Sequence, residues 1–252
     1  SAASDVKKRQ GYVRLVRLLD SADLAELQQR IDAIMLGEID CPGLDFQLDG
    51  DEAEYAKMPE VSPGHKGATL AYRKIMGLEC DPLFLEYMQH PLFRQITRRH
   101  IGADVSIFRA MFMNKPADRG TILPWHQDVG VGWGVGHNPT VTVWTALDPA
   151  TIDNGCMQIV PGSHKRGVIC EGHFPSEEQL AECAPQGSEM DLEAAPGEVI
   201  LLNNLLLHRS GVNSTAQSRR AFSVAYMDGA ARSMRTGELF PMIFGAGALV
   251  PA

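Results

Sequence analysis

Two histidines and one aspartate carry the chemistry worth following first in this 252-residue chain. His126 and Asp128 stand two apart in Pro124-Trp125-His126-Gln127-Asp128. On an extended segment side chains alternate between faces, so these two point one way and Gln127 the other. Both can therefore reach one metal ion. A third donor is His208, downstream of the apolar run Val199-Ile200-Leu201-Leu202, which reads as a buried strand delivering its histidine to a cavity mouth.

Two neutral imidazoles and a carboxylate on one side of an ion leave its other positions open, the arrangement of non-haem Fe(II) oxygenases. Zinc accepts the same donors in catalytic sites, so donor type alone leaves the metal open. Around these residues stand Trp125-His126-Gln127-Asp128, Trp144-Thr145-Ala146-Leu147-Asp148, Asn154-Gly155-Cys156 and Val160-Pro161-Gly162-Ser163-His164-Lys165. Pro196-Gly197-Glu198-Val199, His208-Arg209-Ser210-Gly211 and Arg219 follow. Weaker upstream matches are Tyr72-Arg73-Lys74-Ile75, Asp81-Pro82-Leu83-Phe84 and Asn114-Lys115-Pro116. From about Leu70 to Asp228 this ordered set resembles the phytanoyl-CoA dioxygenase family of Fe(II)/2-oxoglutarate oxygenases.

The resemblance implies a mainly β fold with flanking helices, a double-stranded β-helix (cupin-like jelly roll). It implies Fe(II), 2-oxoglutarate and O2, and it gives Arg219, Ser210, Lys74, Trp144 and Met111 to the 2-oxoglutarate pocket. The residue types suit that task. An arginine pairs bidentately with a carboxylate, and Ser210, two beyond His208, faces the same way. Arg220 is the rival of Arg219, and adjacent strand residues point to opposite faces. Trp144 and Met111 also read as core packing.

The reaction implied is oxidative decarboxylation of 2-oxoglutarate to succinate and CO2, coupled to hydroxylation of an unactivated carbon of a small-molecule metabolite. Related enzymes that halogenate carry a small residue where Asp128 stands, and this chain keeps the carboxylate. Desaturation, epoxidation or cyclisation in natural-product biosynthesis would use the same oxidant. A cupin-like zinc enzyme or a non-catalytic binding module would share the fold and would not need Arg219.

Composition narrows the partners. Lys+Arg 23 against Asp+Glu 31 gives a formal charge of −8, so no basic footprint points to nucleic acid or an anionic membrane surface. Five cysteines without a Cys-x-x-Cys pairing fit a reduced compartment, read as the cytoplasm. No apolar run approaches the roughly 18 residues of a membrane span. Oligomeric state has no sequence signature.

The elements that must position the site follow in chain order. Gly11 to Leu19 is ambiguous between strand and helix. Leu24, Leu27, Ile31, Ile34 and Met35, after Ser21 and before Gly37, predict a capped amphipathic helix. Residues 38–67, rich in Asp, Glu, Gly and Pro, read as an irregular insertion. Pro82 to Ile101 predicts a second helical stretch ended by Gly102. Strands are expected over Val105–Met113, Val141–Leu147, Met157–Val160, Val199–Leu202 and Ala221–Met227. Length alone allows one large β-class domain or two small ones. With the resemblance, residues 1–252 are expected to form a single oxygenase domain: a mostly helical outer part with the insertion (1–103), the jelly-roll core with the metal site (104–228) and a tail (229–252).

The substrate side is read from the rim and the tail. The run Gly130, Gly132, Gly134 and Gly136 lacks the strand and helix of a dinucleotide loop and reads as a mobile rim, with Trp133 and His137 as substrate contacts. The cationic and apolar tail reads either as a surface strap on the outer helices or as a segment folded over the mouth, with Arg232 or Arg235 meeting an anionic substrate group. His164 and His173, in polar loops, read as ordinary solvated or hydrogen-bonded histidines, as do His65, His90 and His100 in the outer half.

Overall fold

Along the second half of the chain, runs of apolar and alternating residues pair into antiparallel strands that build two facing sheets. A computed structural model of the protein describes residues 9–15, 17–50, 54–129, 133–136 and 138–251. Its strands are β1 (Tyr12–Arg14), β2 (Asp45–Leu48), β3 (Ser62–Pro63), β4 (Tyr72–Met76), β5 (Val105–Lys115), β6 (Leu123–His126) and β7 (Val141–Ala146). They continue with β8 (Met157–Ile159), β9 (Met190–Leu192), β10 (Val199–Leu202), β11 (His208–Ser210), β12 (Arg219–Asp228) and β13 (Met242–Phe244). The helices are α1 (Ser21–Leu36), α2 (Pro82–Met88), α3 (Pro91–His100) and α4 (Glu177–Cys183).

The larger sheet has nine strands in the order β1-β10-β7-β12-β5-β4-β2-β3, with β13 added on β5. The smaller runs β6-β11-β8-β9. Together they form the expected jelly roll. Alternation along β12 divides its side chains: Phe222, Val224 and Tyr226 join the core under the helices, while Ala221 joins a second cluster with Trp144, Met157 and Leu202. A third cluster, Val160, Cys183 and Leu207, lets α4 cover the back of the small sheet.

Three expectations change. The helical stretch Pro82 to Ile101 is two helices, because Pro91 lacks the N–H and its ring clashes with the preceding turn. His90 Nδ1 accepts instead from Leu92 N–H at 3.1 Å and caps α3. The outer part is less helical than its apolar spacing suggests. It supplies β1 to β4, and Tyr12–Arg14 of the ambiguous Gly11–Leu19 segment becomes β1, paired with β10. The 38–67 insertion holds β2, β3 and a 3-10 turn over Tyr55–Lys57; β2 is too short for its period to be seen, and its pairing with β4 makes it a strand. Helix α1 behaves as read, with Asp20 rather than Ser21 accepting from Ala22 and Asp23 and with Gly37 left-handed at its end.

The tail closes onto the same sheet. β13 pairs with β5, Phe244 stacks on Tyr226 at 6.2 Å, and Gln89 Nε2 donates to the Ile243 and Leu249 carbonyls.

Candidate metal centre and cosubstrate pocket

Strands β6 and β11 are neighbours, and their register sets His126 directly opposite His208. Asp128, just past β6, is held by its backbone: its N–H donates to the Asn204 carbonyl at 3.0 Å, and Asn204 Nδ2 donates to the Asp128 carbonyl at 3.3 Å. Asp128 Oδ1 lies 3.8 Å from His126 Nε2 and Oδ2 lies 3.7 Å from His208 Nε2. Among the described residues this is the one cluster of His, Cys, Asp or Glu able to hold a metal, its donor atoms all within 4.8 Å of one another.

Both imidazoles are oriented by their own strands. His126 Nδ1 is 2.8 Å from the Pro124 carbonyl and His208 Nδ1 is 2.9 Å from the Leu206 carbonyl. A carbonyl only accepts, so each Nδ1 carries the proton and each Nε2 keeps its lone pair toward the cluster. Burial, with His208 beside it, lowers the pKa of His126 well below its ordinary value. Burial pushes Asp128 upward, but Arg109, His208 and His126 outweigh it and hold the carboxylate ionised far below its usual range. Two neutral nitrogens and one anionic oxygen fit divalent iron.

The opposite wall is the inner face of the large sheet. Arg109, Met111, Met113 and Lys115, at every second position of β5, line one cavity of about 800 Å³, open solvent at its mouth included. Lys74, Trp144, Ser210 and Arg219 line it too, beside His126, Asp128 and His208. Every residue expected to hold metal or cosubstrate is thus on one cavity.

Arg219 is buried and donates from Nη2 to the Gly155 carbonyl at 2.8 Å, while its Nε has no partner. Burial lowers its pKa to about 10, so it remains cationic with donors to spare. Gly155 permits this contact: at φ +72° its backbone passes so close to Gly211 and Val212 that a Cβ would sit 2.6 Å from the Gly211 carbonyl. Arg220 points away, bidentate to Asp148 at 2.8 and 2.9 Å and bonded to Asp32 at 2.6 Å. Lys74 is held down to about 7 by burial, with Arg73 and Arg109 adding repulsion. A buried cationic pocket with unfilled donors fits a dicarboxylate.

Two residues beside the three-donor cluster escaped the sequence reading. Arg109 donates from Nη2 to Asp128 Oδ1 at 2.8 Å and lies 4.6 Å over the Trp133 ring. Its signal was present, since it stands two before Met111 on the same strand face. His173 is no ordinary solvated loop histidine: half-buried, its ring is 4.9 Å from His126 and 6.0 Å from Trp133. Burial lowers its pKa to about 4. Period and propensity are silent on a loop contact of this kind.

Trp133 is at the rim, stacked parallel on Phe108 at 5.0 Å. His137 lies outside the described residues. Arg232 and Arg235 do not line the cavity. Arg232 turns back to the Gly237 carbonyl at 2.9 Å, and Arg235 packs on Gly134. The tail meets the rim by backbone instead, with Met234 N–H donating to the Gly134 carbonyl at 2.7 Å and Phe240 set 6.0 Å from Phe108.

Iron- and 2-oxoglutarate-dependent dioxygenases are the class that such a fold and donor set define. The chain belongs to the phytanoyl-CoA dioxygenase (PhyH) family, matched over residues 8–221. It is 27% identical over 233 residues to a probable phytanoyl-CoA dioxygenase of Caenorhabditis elegans, covering 87% of this chain and 72% of that one. With the peroxisomal phytanoyl-CoA dioxygenase of Mus musculus it shares 25% identity over 224 residues, 84% of this chain and 64% of the mouse protein. The chain therefore spans only part of these relatives. The crystal structure of EctD from S. alaskensis with 2-oxoglutarate and 5-hydroxyectoine has the same fold, with a TM-score of 0.72 and 19% identity over 99% of this chain and 81% of that one.

Proposed function

We propose that this dioxygenase hydroxylates an unactivated carbon of a small-molecule metabolite. His126, Asp128 and His208 hold Fe(II), and Arg219, Ser210, Lys74, Trp144 and Met111 hold 2-oxoglutarate. The observation that carries the reading is one cavity in which a three-donor face, both imidazoles in the coordinating tautomer, is joined by a buried guanidinium with an unfilled donor.

Iron bound there supplies O2 activation coupled to decarboxylation of the cosubstrate to succinate and CO2. The chain's own residues do the rest. Arg219 and Ser210 take the distal carboxylate, Lys74 brings positive charge to the dianion, and Trp144 and Met111 wall it from water. Arg109 holds the Asp128 carboxylate in place, and Trp133 meets the substrate at the rim. Retention of Asp128 favours hydroxylation over halogen transfer. Residues 1–252 act as one oxygenase domain, a reading supported by β1 and β13 adding to the same sheet from near the two ends of the chain. The unpaired thiols support a reduced compartment such as the cytoplasm.

The test is anaerobic metal titration with a substrate screen. Fe(II) should bind the parent protein tightly and leave His126→Ala and His208→Ala largely metal-free, their folds intact. Full iron stoichiometry in either variant would refute the ligand assignment. A library of small metabolites, scored for stimulated succinate release, then identifies the substrate.

A further inference from the structure

His173 is built into the metal site by contacts that no ligand or cosubstrate role requires. Gln127, the residue between His126 and Asp128, clamps its loop: Oε1 accepts from Ile169 N–H at 2.8 Å, and Nε2 donates to the Gly167 carbonyl at 2.9 Å. Gln179 of α4 adds a bond to the Ile169 carbonyl at 3.0 Å. From the other side Tyr55 of the insertion packs edge-on against Phe174 at 5.0 Å, and Phe174 against His173 at 4.5 Å. His173 lines the cavity beside His126 yet stands outside the three-donor cluster. Its Nδ1 is buried without a hydrogen-bond partner, a costly state that a turn of the ring toward a polar group in the cavity it lines would relieve.

We propose that His173 orients the substrate, its imidazole hydrogen-bonding a polar group close to the carbon presented to the metal. The substrate is then a small polar metabolite with a hydroxyl, amine, amide or carboxylate near the oxidised carbon, rather than a bare hydrocarbon chain. Sites built to hydrogen-bond a group reject analogues that lack it, because the protein's own polar atom is left unpaired. This inference rests on the hydroxylase reading above and names the substrate class of that same cavity.

His173→Phe keeps an aromatic ring without the polar atoms, and His173→Gln restores a hydrogen-bonding group. Both are compared with the parent protein loaded anaerobically with Fe(II) and 2-oxoglutarate. The probes are free amino acids with their hydroxyl and amide derivatives, set against straight and branched acyl thioesters. Calorimetric binding should select members of the polar set. For the best probe His173→Phe should weaken binding about ten-fold or more, the scale of one lost hydrogen bond to a buried group, and lower the ratio of product to succinate. His173→Gln should recover most of both, and each variant should keep parental iron and 2-oxoglutarate binding. Loss of iron in His173→Phe would make the residue a ligand and overturn the proposal. So would unchanged affinity and coupling in His173→Phe, or no recovery in His173→Gln. Preferred binding of an acyl thioester, whose carbonyl also lies beside its alpha carbon, would overturn the assignment to a free polar metabolite. Failure of the parent to bind iron or cosubstrate would instead count against the hydroxylase reading.

Discussion

Arg109 places a permanent cation 2.8 Å from the carboxylate expected to bind metal. It keeps Asp128 ionised and limits its rotation, as groups that hydrogen-bond metal ligands do. Arg109→Met should weaken Fe(II) affinity by about 10- to 100-fold, read by competition with a chelator, and unchanged affinity would remove the positioning role. Arg219→Ala should cost on the order of 2 to 5 kcal/mol of 2-oxoglutarate binding through loss of a buried charge partner. Arg220→Ala should leave cosubstrate binding nearly intact and lower the thermal midpoint, since it strips Asp148 and Asp32 of their arginine. The reverse pattern would mean that β12 presents its other face. Lys74 gives a pH dependence with a definite sign. With its pKa at about 7, it is largely neutral in the free protein at pH 8, and a dianion beside it raises that pKa. Binding of 2-oxoglutarate should therefore take up a proton at pH 8, take up little at pH 6, and weaken as pH rises above 7. Calorimetry in two buffers of different ionisation enthalpy measures the uptake, and Lys74→Met should abolish it.

The candidate ligands were legible because a strand repeats every two residues, so His-x-Asp defines one face, and because the flanking residues resemble the family. Alternation admitted only one of Arg219 and Arg220 to the pocket, and the family spacing chose Arg219. Helix α1 was legible from its period. What was not legible depended on distant partners. β2 is a strand because β4 and β3 flank it, and His173 comes to line the cavity beside His126 because Gln127 holds the Gly167–Ile169 backbone. The loop carrying Gly155 belongs to the same class, with its role set by Gly211 and Val212 far along the chain. Gly155→Ala should strain a left-handed residue and push the loop off those carbonyls. The expected result is weaker 2-oxoglutarate binding with iron binding retained, because the carbonyl that aims Arg219 moves while β6 and β11 do not. Equal loss of both in parallel titrations would point to general unfolding.

The tail both straps the barrel and borders its mouth. Ending the chain after Gly229 removes Ile243 and Phe244, both almost fully buried, and should cost roughly 3 to 6 kcal/mol of stability at the usual value per buried apolar side chain. It also removes Phe240 from the wall of Phe108 and Trp133, so the truncated protein should release succinate without matching product. Normal coupling at a lowered melting temperature would leave the tail a strap alone.

The metal donors sit on or beside the four-stranded sheet, while Lys74, Met111, Trp144 and Arg219 sit on the nine-stranded one. A molecule that coordinates the ion and salt-bridges Arg219 therefore spans the seam between the layers. Its binding free energy becomes cohesion of the barrel, about 2.7 kcal/mol at a hundred times Kd. Without it the sheets are held there by the packing of Trp144, Ile200 and Leu202 against Met157, Ile159 and Leu192. Amide hydrogens of β6 and β11 should then exchange at one rate with iron alone and markedly slower once 2-oxoglutarate joins it. Protease resistance should rise in the same step, so that the protein's persistence in a cell follows the supply of its own cosubstrate.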